Sequence, residues 1–205
     1  MARPPEHRDV FQLLGLVAFS FASAATPGPN NVLLWASGAS FGARRTLPHV
    51  LGTAAGIGAM ALGSAAGIAA LVAAVPALGV AMRVVGSAYL LFLAWQIARS
   101  GSLASTPSTA RPMTLPEAAG FQLVNPKAWI FALGAVTTFR PTDLPPIPAT
   151  LVVAAVMIVV ILPSAGLWVV FGDAIGRLLS TERSLRVVNV VLAALVVATI
   201  ALVWV

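Results

Sequence analysis

Cysteine is absent from the 205 residues, which excludes disulfides, thiolate chemistry and thiolate metal sites, and leaves no thiol from which to read a redox compartment. Charge is almost as scarce: Asp, Glu, Lys and Arg make up 9% of the chain, against about a quarter in an ordinary soluble domain. The lysines reduce to Lys127 alone, and there are 2 histidines and 6 acids. No HExxH metal signature, no GxSxG elbow and no phosphate-cradling glycine loop occurs. The expectation is therefore a protein that is not an enzyme and holds neither metal nor cofactor. A pI of 11.6 does not make this a nucleic-acid binder, because the 12 basic residues are scattered among short loops instead of forming a stripe.

What the chain does have is apolar length. Its hydrophobic content is 59% and its mean hydropathy +0.96, and its uncharged runs reach the roughly 20 residues a helix needs to cross a hydrocarbon core about 30 Å thick. Arg3 and Arg8 precede an apolar run to Phe21, and Ala22-Ser23-Ala24 imitates a signal-peptidase site. No charge follows Asp9 until Arg44, so the run continues past that site as a membrane segment would, and it is read as the first span.

Six spans are expected. Span one starts near Val10 and is broken at Thr26-Pro27-Gly28-Pro29-Asn30, where two prolines remove donors and the glycine admits non-helical dihedrals. Span two covers about Pro48 to Val75, with Gly52, Gly56, Ala59, Gly63 and Gly67 on one face for close helix packing. The same kind of face can pair two copies, so a homo-oligomer is left open. Span three runs from Leu78 to Ala98, and a Ser-, Thr- and Pro-rich connector covers residues 99–116. Spans four (Glu117 to Phe139), five (Ile147 to Gly172, with Pro163 inside) and six (Val187 to Val205) follow.

This organisation predicts an all-α membrane protein with repeats at 1–98 and 117–205. Three spans per half invert the second half relative to the first, as in many secondary transporters. Arg44, Arg45, Arg99, Arg111, Arg177, Arg183 and Arg186 fall on one side, and Arg3, Arg8, Arg83 and Arg140 on the other. The positive-inside rule makes the richer side cytoplasmic and puts both termini outside the cytoplasm.

Asn125-Pro126-Lys127 breaks span four much as the first motif breaks span one. Broken helices expose backbone groups that are tolerated in a membrane only inside protein or around a watery cavity, where they can bind an ionic solute. Pro27, Gly28, Pro29, Asn30, Asn31, Asn125, Pro126 and Lys127 are the candidate translocation residues. Lys127 can face the pathway, binding a carboxylate or cycling a proton, or it can cap carbonyls freed by the breaks. The asparagines can bind solute or satisfy the same freed groups. No acid lies centrally in a span, so proton coupling would fall to Lys127, His49 or Asp173, or to the solute itself; His49 is expected at a solvated interface and Asp173 at the edge of span five.

Three segments carry a resemblance to the LysE/RhtB family of amino-acid exporters. They are Thr26-Pro27-Gly28-Pro29-Asn30 with Gly38, Gly42 and Arg44-Arg45; Gly86-Ser87-Ala88-Tyr89-Leu90 with Trp95; and Gly120-Phe121 leading to Asn125-Pro126-Lys127 and Phe131. Thr46, Pro48-His49 and Thr137-Thr138 depart from the family pattern and leave the solute undefined. The resemblance implies export of an amino acid or derivative across the inner membrane, driven by the proton gradient. Its partners would be that small-molecule substrate and the lipid bilayer. Rival readings are export of another solute, such as a metal cation, and a non-transporting membrane subunit or enzyme; a cation carrier calls for charged oxygen ligands inside the spans.

Overall fold

The computed structural model describes residues 5–67, 74–99, 111–178 and 182–204. Among these residues there are eight helices and no strand: α1 (Pro5–Ala25), α2 (Pro29–Phe41), α3 (Ala43–Ala65), α4 (Pro76–Arg99), α5 (Leu115–Val124), α6 (Pro126–Phe139), α7 (Pro146–Leu178) and α8 (Glu182–Trp204). Arg3, residues 68–73 of span two, residues 100–110 of the connector and Val205 lie outside the described residues.

Prolines set most of the boundaries. Pro29 and Pro126 occupy the first turns of α2 and α6, where a missing N–H costs nothing, and Pro76 opens α4. Pro48 sits inside α3 and Pro163 inside α7. Gly42, at φ +81°, turns the chain from α2 into α3, a conformation other residues rarely adopt.

Among the described residues, helix α7 alone is long and apolar enough to cross a bilayer by length and composition; α1 (from Phe11) and α2 qualify together, bent by 59°. At 1.5 Å per residue α7 extends roughly 50 Å, well beyond a hydrocarbon core. It runs six residues past the expected end of span five, so the helix continues beyond Asp173. Shorter apolar stretches occupy Gly79–Trp95 of α4 and Arg186–Ala201 of α8.

Two apolar cores lie on either side of α2. Leu34 joins Leu16, Ile57, Phe131, Met157 and Ile161 in one, while Val32 and Leu33 join Leu90, Phe121, Leu192 and Val196 in the other. The periphery is also apolar: Ile130, Val159 and Leu167 are each about two-thirds exposed or more. The buried set, by contrast, includes Asn30, Thr53, Gln122 and Asn125. An apolar exterior around a polar centre inverts the soluble pattern and suits a lipid surround.

Close helix contact rests on glycine at a few positions. Gly52 abuts the Leu115 carbonyl and Gly56 that of Ala119, which seats α5 against α3; Ala59 is exposed and Gly67 ends the helix with open space around it. The expected small-residue face is thus real for its first two members. Gly38 and Gly172 do the same between α2 and α7, each against a backbone carbonyl of the other helix.

Candidate functional site

Pro27 and Pro29 end α1 and restart the chain as α2, stranding the last carbonyls of α1. Side chains reach those carbonyls. Asn31 Nδ2 donates to Ala24 O (2.7 Å) and Thr26 O (2.8 Å). Lys127 Nζ, arriving from the second break, donates to Thr26 O (2.6 Å) and Pro27 O (3.4 Å). At the second break Asn125 N donates to Gln122 O (3.2 Å), Trp129 Nε1 to Leu123 O (2.8 Å), and Asn125 O accepts from Ala128 N (3.0 Å). Such satisfaction is what non-helical backbone at membrane depth requires.

The two motifs, about a hundred residues apart in the chain, therefore meet. Gly28 is extended (φ −173°, ψ 172°), the non-helical backbone expected at the break and a conformation open to any residue. What its lack of a side chain provides is room: a Cβ would stand 2.8 Å from Lys127 Cδ and 3.0 Å from Nζ, and the lysine would have to shift. The lysine lies across Gly28 to reach the carbonyls beyond it.

A buried amide chain joins the breaks. Gln122 Nε2 donates to Ala118 O (3.0 Å) and to Asn30 Oδ1 (3.0 Å), and the Thr53 hydroxyl shares its proton between Asn30 Oδ1 (3.2 Å) and His49 O (3.0 Å). Asn125 Nδ2 donates to Gln122 Oε1 (3.2 Å). The backbone carbonyl of Ala118 can only accept, so it fixes the orientation of Gln122, which in turn fixes that of Asn125. Asn125 Oδ1 is left buried without a partner among the described residues. Gln122 and Thr53 were not among the residues expected from the sequence.

Around this chain lies a cavity of about 40 Å³ lined by Gly28, Asn30, Asn31, Thr53, Asn125 and Lys127 among others. That is room for a few waters, each needing about 10–15 Å³ on this measure, and too little for an amino acid. A larger cavity of about 570 Å³ shares Gly28, Asn125 and Lys127 and extends past Pro27, Gly79, Met82, Arg83 and Thr199. Pro29 and Pro126 line the larger cavity, so all eight expected translocation residues surround one or both spaces.

The two other residues expected to serve coupling lie elsewhere. His49 is buried at 1% exposure, which corrects its placement at a solvated interface: it sits on the inner face of α3, one turn before Thr53. Asp173 is engaged by Arg177 in a two-bond ion pair (3.0 and 2.9 Å) near Gly42. At the start of α5 Glu117 accepts from both guanidinium nitrogens of Arg111 (2.6 and 2.7 Å) and from Thr114 N (2.9 Å). This pairing holds Arg111, outside the spans, more firmly protonated than usual. Among the described residues, no three His, Cys, Asp or Glu side chains gather as a metal site would need.

An apolar-sided helical bundle with broken helices meeting at a polar centre is the build of a membrane translocator. Residues 21–204 match the LysE type translocator family, and the chain belongs to it. It is 35% identical over 123 residues to a cysteine/O-acetylserine efflux protein of Klebsiella pneumoniae subsp. pneumoniae, a match covering 60% of this chain and 62% of the relative. Proteins of the same description from Salmonella typhimurium and Escherichia coli O1:K1 / APEC are each 31% identical over 121 residues, covering 59% of this chain and 62% of theirs. The chain thus spans less than two-thirds of the length of these curated relatives. No solved structure matches it.

Proposed function

We propose that this protein is a secondary active exporter of small neutral amino acids or their derivatives across the inner membrane. The observation that carries the reading is the meeting of the two helix breaks around one cavity whose lining includes a cation, Lys127, and the amide side chains of Asn30, Asn31 and Asn125. A zwitterion needs that pair of partners: its carboxylate the ammonium and the half-helix N-termini of α2 and α6, its ammonium an amide oxygen. Lys127 disfavours a cationic solute at the same place. The relatives' names, cysteine and O-acetylserine efflux, point to solutes of this small, neutral kind.

The six-span, inverted arrangement belongs to the same proposal. α3 packs on α5 and α6 while α7 packs on α1 and α2, and α3 meets α7 as α4 meets α8. This is the pairing a two-fold axis in the membrane plane would generate if α1–α4 and α5–α8 were equivalent halves, with 99–116 as the connector. The proton gradient is the proposed energy source. Of the three expected proton carriers, Asp173 is tied to Arg177, which leaves Lys127 and His49 better placed to exchange a proton with the centre.

The test is efflux from cells lacking their own exporters, preloaded with labelled cysteine, O-acetylserine and a mixture of other amino acids, with and without a proton uncoupler. Selective, uncoupler-sensitive loss of a small neutral compound is expected. Unchanged retention of every compound, with the protein demonstrated in the membrane, would overturn the reading.

A further inference from the structure

We propose that the closed half of the transport path runs along the seam between α2 and α3, lined by Ser37, Thr46, His49 and Thr53. What travels along it rests on the proposed function; the existence of the path does not.

Thr46, His49 and Thr53 stand at i, i+3 and i+7 on one face of α3, and their exposures are 0%, 1% and 2%. Ser37 and Asn30 of α2 are likewise buried and seven residues apart. The two faces meet at both ends: Ser37 Oγ lies 3.0 Å from Thr46 Oγ1, and Thr53 Oγ1 lies 3.2 Å from Asn30 Oδ1, its one hydroxyl proton shared with His49 O at 3.0 Å. Between these bonds sits His49, whose Nε2 is buried without a hydrogen-bond partner among the described residues. A seam with only a packing role is cheaper to fill with apolar side chains, because a buried unpaired polar atom carries its full desolvation cost. Five polar side chains in file through a membrane interior are the pattern of a solute or ion route.

The direction of the file matches what alternating access needs. The larger cavity already opens the centre toward the half of the bundle that carries Gly79, Arg83 and Thr199. The file begins at Asn30 and Thr53 in the lining of the small cavity and leads the other way, to Thr46, whose Oγ1 bonds Gly42 O at the end of α2. Over the seven residues from Thr53 to Thr46 it descends about 10 Å, roughly a third of the hydrocarbon thickness. Parting α2 from α3 there would wet it.

A chain without cysteine allows the test without background. Ser37→Cys, Thr46→Cys and Thr53→Cys, each close in size to the original, are made singly in the full chain and treated with membrane-impermeant methanethiosulfonate ethyltrimethylammonium, in right-side-out and in everted vesicles. Leu51→Cys, on the outward face of α3, is the reference. The proposal expects Thr46→Cys and Thr53→Cys to react at least tenfold faster than the reference from the side of Gly42, and His49→Leu to slow Thr53→Cys at least tenfold. Rates equal to the reference from both sides would make the seam a sealed packing interface, and reaction only from the side of Arg83 would assign the file to the larger cavity; either result overturns the proposal. Labelling requires no transported solute, so a negative efflux assay with positive labelling would remove the amino-acid assignment and keep the path.

Discussion

Lys127 shows how much a single position can hold. The sequence left two readings open, pathway cation or cap for stranded carbonyls, and the side chain is placed for both: its ammonium bonds Thr26 O and Pro27 O while it lines the central cavity. Lys127→Ala should lower export at least tenfold with the amount of inserted protein unchanged, and Lys127→Arg should restore part of it. Equal export by Lys127→Ala and the parent would remove the lysine from the site. Gln122 is the residue the sequence concealed. A glutamine in an apolar run three places before the Asn-Pro pair was a legible signal, but its partner Asn30 is 92 residues away, a distance no local pattern reports. Gln122→Leu strips Asn125 Nδ2 of its acceptor and Asn30 Oδ1 of one donor, leaving buried polar groups that cost about 1–3 kcal/mol each. A drop in thermal stability in detergent together with lost export is the expected outcome; unchanged stability would mean the amides find other partners.

At the scale of the element, the prolines were the readable part. Pro27-Gly28-Pro29 and Asn125-Pro126 mark the breaks where the chain in fact breaks, because a missing N–H acts locally. Glycines were read less well, since their purpose depends on what lies opposite. Gly28 clears space for a lysine from another helix, and Gly38 and Gly172 let α2 and α7 touch backbone to backbone. Any side chain at Gly172 would collide with Trp35 O, whereas a Cβ at Gly166 on the same helix meets nothing. Gly172→Val should therefore destabilise the protein by about 1–3 kcal/mol, as overpacking does, and Gly166→Ala should be neutral or slightly stabilising. Melting curves of the two variants in one detergent would check this; similar behaviour would argue that α2 and α7 can separate without loss.

For the molecule as a whole, hydropathy predicted a helical membrane protein, but helix ends and pairings depend on contacts between distant segments. The overrun of α7 past Gly172 is one such case: Gly172 and Gly176 pack on Trp35 and Ala39, so the helix continues where its neighbour supports it. Sidedness rests on a different quantity, the distribution of Arg over the two ends. Alkaline phosphatase, which becomes active only where its disulfides can form, reports it when fused after Trp204 or inserted between residues 104 and 105. The arginine count predicts activity for the first fusion and none for the second. The reverse result would turn the molecule over without disturbing the proposed internal two-fold, because the packing of α3 on the second break and α7 on the first is indifferent to which face meets the cytoplasm. The direction of export would then have to be argued from the gradient alone. Activity in both fusions, or in neither, would break the parity of spans on which the proposed inverted repeat depends, and with it the proposed equivalence of the two halves.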